Sequence, residues 1–350
     1  MKKSLIALAA VAATGAVMAQ SSVTVYGVVD TSVAYVKGNK SVSGLANNGN
    51  GTSRLGFKGV EDLGNGLKAE FVLEGAVNPD NGTAGGKETP DGFDFKRQAT
   101  VGLTSADFGQ VRLGRALTSS YNAVSRYDIF GTVGLGSTLA WSSKFTQYQP
   151  RSNNMLSYIS PKFAGFGVGV DYGFGEEAES KTKRYVGVGA TYDNGPLSLG
   201  LGYDKQNNGL GDNYAVAGEN QKTWQLGGSY NFGVAKVLGF YKETKTTVIA
   251  TNASTKLKVY NLGVSAPVGA AGEVKLAYNN YKETVTNKKA NQFSLGYVHS
   301  LSKRTALYST YSYIKNKNGN NFTLTSAFGT AGLKDNKKQQ GIQVGVRHAF

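Results

Sequence analysis

Apolar and small or polar residues alternate along this chain with a period of two. Phe166, Val168, Val170, Tyr172 and Phe174 are interleaved with Gly167, Gly169, Asp171 and Gly173. Leu197, Leu199, Leu201 and Tyr203 are interleaved in the same way with Ser198, Gly200, Gly202 and Asp204. At the C-terminus Ile342, Val344, Val346, His348 and Phe350 alternate with Gln343, Gly345, Arg347 and Ala349. This is the period of a strand whose two faces meet different surroundings. Soluble sandwiches alternate too, so the ends of the apolar faces carry the distinction. Many of them finish on Tyr172, Tyr192, Tyr203, Trp224 or Tyr230, as an aromatic girdle at a membrane interface would.

Connection lengths extend the pattern. Short turns are expected at 62–66, 105–109, 160–165, 193–196, 231–233, 267–272 and 301–304. Longer polar stretches lie near 38–50, 77–92, 117–150, 175–182, 206–221, 246–255, 285–290 and 316–339. Seven turns and eight loops join sixteen strands, which predicts an all-β fold, a 16-stranded antiparallel transmembrane β-barrel. Even strand number, short turns on one rim and long loops on the other are the marks of an outer-membrane barrel. Side chains fill a barrel of eight strands, whereas sixteen leave an aqueous channel. The last strand, ending at Phe350, must close on the first, near Val23 to Val36, because an open edge in lipid would leave amides and carbonyls unpaired.

The N-terminus adds export. Met1, Lys2 and Lys3 are followed by the short apolar run Leu5 to Ala13 and by the small-residue site Val17, Met18, Ala19. The run is too short to span a bilayer as a helix, which takes about 20 residues, so residues 1–19 read as a cleaved signal peptide and 20–350 as the barrel. Composition agrees: 47 Gly, 20 Tyr and 16 Phe stand against 6 Pro and no Cys. With no thiol, neither a disulfide nor a thiolate metal site contributes.

The formal charge is +15, or +13 once Lys2 and Lys3 leave with the signal peptide. In an exported chain whose basic residues are spread along its length, no nucleic-acid partner is implied. The excess reads as a positive field in or around a pore, which attracts anions. Catalysis finds little support, since hydrolysis needs a nucleophile beside a base. The two histidines, His299 and His348, lie in no Gly-x-Ser-x-Gly context and at no metal-ligand spacing, so neither catalytic residues, a metal nor a cofactor is expected. Glycine-rich Gly165 to Gly175 lacks the following helix of a phosphate loop and reads as strand.

Several stretches resemble the trimeric general diffusion porins of Gram-negative outer membranes. Val25, Tyr26, Gly27 and Asp30 look like the family's first strand. The run from Ser53 to Gly59 and on to Leu67 is similar to its second hairpin, and Arg97 to Leu103 with Phe108 to Arg115 continues the match. Gly345 to Phe350 resembles the C-terminal strand that the insertion machinery recognises, making Phe350 the closure and assembly signal. The resemblance implies a homotrimer in outer-membrane lipid and lipopolysaccharide that passes small hydrophilic solutes and ions. It also implies that the third external loop, here about Ala116 to Pro150, folds inward and narrows the pore. A substrate-specific channel of the same architecture is the alternative reading.

In that family basic residues on the wall face acidic residues on the third loop. By motif position Arg54 and Arg97 carry over to the wall, with Arg151 as a third member, and Lys58, Arg112 and Arg115 add positive potential. Glu70 and Glu74 offset part of it. Arg54 and Lys58 have the parity of lumen-facing residues, but Arg97 shares the parity of Ala99, Val101 and Leu103 and needs a bulge to point inward. On the loop Asp128 is the only carboxylate, accompanied by Tyr121, Tyr127 and Tyr148. A constriction so poor in acid predicts weak to moderate anion preference.

Overall fold

The apolar faces point outward. Leu199, Leu201 and Tyr203 are exposed, whereas Gly200, Gly202 and Asp204 between them are buried. That inversion of the soluble pattern is what lipid outside and polar surroundings inside require. The computed structural model describes residues 21–84, 92–142, 148–176, 183–207, 218–324 and 337–350. The expected signal peptide lies outside them.

The wall runs through β1 (Ser22–Lys37), β2 (Ser41–Asn47), β3 (Arg54–Gly64), β4 (Leu67–Asn78), β5 (Thr83–Ala84), β6 (Gln98–Ser105), β7 (Gly109–Leu117), β8 (Arg151–Ile159) and β9 (Phe166–Gly173). It continues through β10 (Tyr185–Asn194), β11 (Leu197–Gln206), β12 (Glu219–Asn231), β13 (Lys236–Val248), β14 (Ser254–Val268), β15 (Gly272–Glu283), β16 (Lys289–Ser300), β17 (Thr305–Lys317) and β18 (Lys338–Ala349). Each strand pairs antiparallel with its neighbours, and β18 closes on β1 from Val28↔Ala349 to Lys37↔Gln340. Phe350 extends the closure, exchanging both backbone hydrogen bonds with Gly27 at 3.1 Å.

Eighteen segments make sixteen wall strands. β2 and β3 pair with successive stretches of β1, so together they form one broken strand, and β5 is a short hairpin on β4. The first loop is consequently shorter than the polar stretch 38–50 suggested, because the chain turns at 38–40 and resumes pairing at once. Asp30 organises the break. Its carboxylate accepts the Gly49 and Asn50 amides at 2.9 Å and the Tyr308 hydroxyl at 2.5 Å, satisfying groups that the ladder leaves unpaired.

The main apolar core lies between the inner wall and the segment after β7. This segment contains α1 (Ser119–Ser125), capped by Thr118, whose hydroxyl accepts the Tyr121 amide at 3.3 Å, and a 3₁₀ turn at Leu139–Trp141 capped by Thr138. Val124, Tyr127, Phe130, Leu135 and Trp141 pack with the inward residues Phe240, Val259, Tyr281 and Ile314.

Candidate pore constriction

Glycine prepares the bed for that segment. A Cβ at Gly189 or Gly200 would strike the carbonyl oxygens of Ser119 and Ala123, and one at Gly227 would meet the Tyr127 ring. The small residues of the alternating pattern thus create a groove on β10 to β12 that admits backbone at close range. Polar side chains of the same parity then hold it. Asp171 accepts the Ser119 amide and hydroxyl, and Asp204 accepts the Ser120 hydroxyl at 2.8 Å and the Tyr148 hydroxyl at 3.2 Å. Gln225 donates to the Ser120 carbonyl at 2.8 Å, and Lys242 donates to the Ala140 carbonyl at 2.7 Å with its ammonium 3.4 Å from the Tyr148 ring centroid. Tyr281 accepts the Leu139 amide at 2.9 Å, and Gln292 donates to the Ser137 carbonyl at 2.9 Å.

Across from these anchors, Glu74 on β4 gathers the basic wall. Its carboxylate lies 2.7 Å from Arg97 Nε and 3.4 Å from Arg54 Nε, and accepts the Tyr26 hydroxyl at 2.9 Å. Arg151 joins through the backbone, its Nε donating to the Arg97 carbonyl at 2.8 Å. Arg115 Nε donates to the Lys96 carbonyl at 2.6 Å, and its Nη1 hydrogen-bonds Asn153. Among the described residues, the Glu74 carboxylate is shared by two guanidinium groups, while those of Arg115 and Arg151 donate to carbonyls, which crowds positive charge on this side.

The sixteen-strand closed barrel agrees with known proteins. The family model for Gram-negative porins matches residues 5–319. The chain belongs to the Gram-negative porins. Outer membrane porin protein 32 of Delftia acidovorans is 45% identical over the full length of both chains, and an outer membrane porin of Bordetella pertussis is 33% identical, again over both full lengths. Among solved structures, an anion-selective porin from Comamonas acidovorans superimposes with a TM-score of 0.84 at 43% identity, covering 95% of this chain and 100% of that one. OmpT of Vibrio cholerae, solved as a trimer, shares the fold at a TM-score of 0.71 and 16% identity, over 94% of this chain and 99% of that one.

In this porin the residues expected at the wall separate into groups. Arg54, Arg97, Arg115 and Arg151 come together around Glu74 and its neighbouring carbonyls. The register conflict at Arg97 is resolved by position, since β6 starts at Gln98 and Arg97 occupies the turn before it, where strand parity does not govern direction. Lys58 stands apart over the Tyr26 ring, 5.7 Å from its centroid, and Arg112 is drawn to the Leu117 carbonyl at 3.1 Å.

Asp128 is placed differently from a carboxylate aimed across a pore. It is buried within the loop and accepts the amides of Phe130 and Thr138 at 3.0 and 3.1 Å, tying one turn of the segment to the next. Burial pushes its pKa up to about 6 despite those bonds. Tyr121 bonds Thr132 and Tyr127 bonds Ser198, so both tyrosines brace the segment. Glu74 as the hub, and the anchors Asp171, Asp204, Gln225, Lys242 and Gln292, were not singled out by sequence reasoning. A usable signal existed, because isolated polar residues among inward glycines mark where something lies against the wall.

Proposed function

We propose that this porin is a water-filled channel for passive diffusion of small hydrophilic solutes and ions, with an anion preference set at a constriction between Glu74's arginine set and the 118–141 segment. The barrel works as a homotrimer, each copy carrying its own pore. The observation that carries the reading is the crowding of positive charge at the wall: among the described residues Arg54 and Arg97 share the Glu74 carboxylate, Arg115 and Arg151 bond carbonyls beside it, and Asp128 is buried within the third loop. A transverse surplus of fixed positive charge lowers the cost of an anion in the narrow part and raises that of a cation. The anion selectivity in the description of the Comamonas acidovorans protein supports the same assignment.

Reversal potentials in planar bilayers under a salt gradient test the charge reading, with anion preference expected and cation preference overturning it. Liposome swelling with sugars of rising size tests the general character. A smooth decline with size is expected, whereas saturation with one solute class would mark a substrate-specific channel.

A further inference from the structure

A second segment folds against the inner wall, near the C-terminus. Residues 320–324 follow β17, and buried side chains of the wall hold them. Asn316 on β17 donates to the Phe322 carbonyl at 2.9 Å and accepts the Phe322 amide at 3.0 Å, while Gln339 on β18 accepts the Leu324 amide at 2.7 Å. Leu324 joins the same apolar core as the third loop, and the Phe322 and Tyr281 rings meet edge to face with centroids 5.7 Å apart. Tyr281 is also the residue that accepts the Leu139 amide of the third loop. The two inward segments therefore share one support.

Between residues 320–322 and the loop-side ends of β12 to β15 lies a cavity of about 280 Å³, close to the lower size of sites that take small organic molecules. These strands stand across the barrel from β4, which carries Glu74. The chemistry on the two sides differs accordingly. Glu219, Glu283 and Lys288 bring two carboxylates and one ammonium to the cavity, so its described lining is negative. Glu283 is occupied by its own turn, where it accepts the Val285 and Thr286 amides at 3.0 and 3.1 Å. Glu219 is left facing the cavity.

Two polar atoms of this lining lack a partner among the described residues. Asn320 is 3% exposed and its Nδ2 donates to none of them, and the buried Oε2 of Glu219 accepts from none. Buried polar groups in folded proteins are nearly always paired, so an unpaired donor and an unpaired acceptor on one cavity mark a place for a group that answers both. Ionised carboxylates supply acceptors alone and meet a negative lining here, and an ammonium supplies donors alone and leaves Asn320 unanswered. A hydroxyl is donor and acceptor at once. Water has the same capacity but gains nothing from Leu257 and Phe322, which form the apolar side of the cavity. The C–H face of a sugar ring buries apolar surface against such side chains.

We infer that this cavity is a subsite for a neutral saccharide ring, whose hydroxyls accept from Asn320 Nδ2 and donate to Glu219 Oε2 while one ring face lies on Phe322 and Leu257. The site stands on the loop side of the third loop's anchor and across the barrel from the arginines. It holds sugar at the outer mouth and leaves ion preference to the wall. The inference rests on the porin reading, because the lumen must be open to solutes arriving from the loop side.

The test uses the full-length porin purified in detergent, with glucose as the probe and per-O-methylated glucose as its control. The control keeps the ring and its acceptors but has no hydroxyl donor. In ligand-detected NMR titrations the wild type is expected to saturate with glucose and to bind the methylated sugar about fivefold more weakly or worse, the loss of one hydrogen bond. Absence of saturation, or equal binding of the two sugars, overturns the inference, and this comparison does not depend on any variant folding. Saturation by methylammonium in place of glucose also overturns it and assigns the cavity to cations. Glu219→Ala and Asn320→Leu are each expected to weaken glucose binding about fivefold, with the reversal potential at its wild-type value. Because Asn320→Leu removes a buried unpaired donor, its thermal unfolding temperature should equal or exceed that of the wild type. Wild-type affinity in both folded variants overturns the inference. A wild type that binds glucose in this way but passes no ions would sink the porin reading and leave the saccharide site standing, whereas a conducting porin that never saturates does the reverse.

Discussion

Arg97 Nε lies 2.7 Å from a carboxylate oxygen of Glu74, although Arg97 has the sequence parity of residues that face lipid. The pair joins the turn before β6 to the inner face of β4, and the Arg97 amide also donates to the Glu74 carbonyl at 3.1 Å. Selectivity should therefore answer to both residues, in opposite directions.

Glu74→Gln is expected to increase anion preference and Arg97→Gln to reduce it. A monovalent ion passing about 10 Å from a unit charge in water feels roughly 0.4 kcal/mol, of opposite sign for anion and cation, so each change should move the permeability ratio about fourfold. Reversal potentials at low ionic strength measure it, and raising the salt should shrink both effects.

Lys242 is the buried cation that holds the 3₁₀ turn of the loop, with Asp204 as its electrostatic partner. Lys242→Met leaves the buried Ala140 carbonyl without the Nζ that bonds it, a loss that typically costs about 1–3 kcal/mol. The loop should loosen, giving noisier single-channel currents and faster proteolysis within residues 118–141. Adding Asp204→Asn should restore a substantial part of the quiet state, whereas independent, additive losses would show that the two do not act together.

Gly200 lets the Ala123 carbonyl approach the wall where a Cβ would collide. Gly200→Leu is expected to displace α1 and to destabilise the barrel by about 1–3 kcal/mol. Open-channel conductance should change with it. The same substitution at Gly195, a turn glycine with open space around its Cβ, costs through its positive φ of 53° and should leave conductance at the wild-type value.

The pH dependence of the loop follows from Asp128. Its pKa is raised to about 6 by burial, above the unfolded value near 3.9. The folded state then binds more protons than the unfolded one between these values, so the contribution of Asp128 is most favourable below about pH 4. It weakens as pH rises and is lost by about pH 6, a swing of order 3 kcal/mol. Proteolysis of the segment across pH 4 to 7 should accelerate with pH in the wild type. In Asp128→Asn that step should be absent.

Much of this molecule was determined by local pattern in the sequence. The two-residue period separates lipid-facing from inward residues because neighbouring side chains on a strand must point to opposite faces, and connection lengths set the strand number through the same local chemistry. Lys58 and Arg54 were assigned to the inner face on that basis. Tertiary structure alone decided how the wall arginines and the third loop are arranged. Arg97 turns inward because it stands one residue before its strand, where parity ceases to constrain it. Asp128, the one acid of the third loop, folds into the loop itself, and Glu74 becomes the partner of the arginines. Those outcomes depend on where a long segment settles against distant strands, as Lys242 and Ala140 do across 102 positions of sequence. A strand's period carries no information about contacts of that range, so only the closed barrel, with its glycine-lined groove, could choose among them.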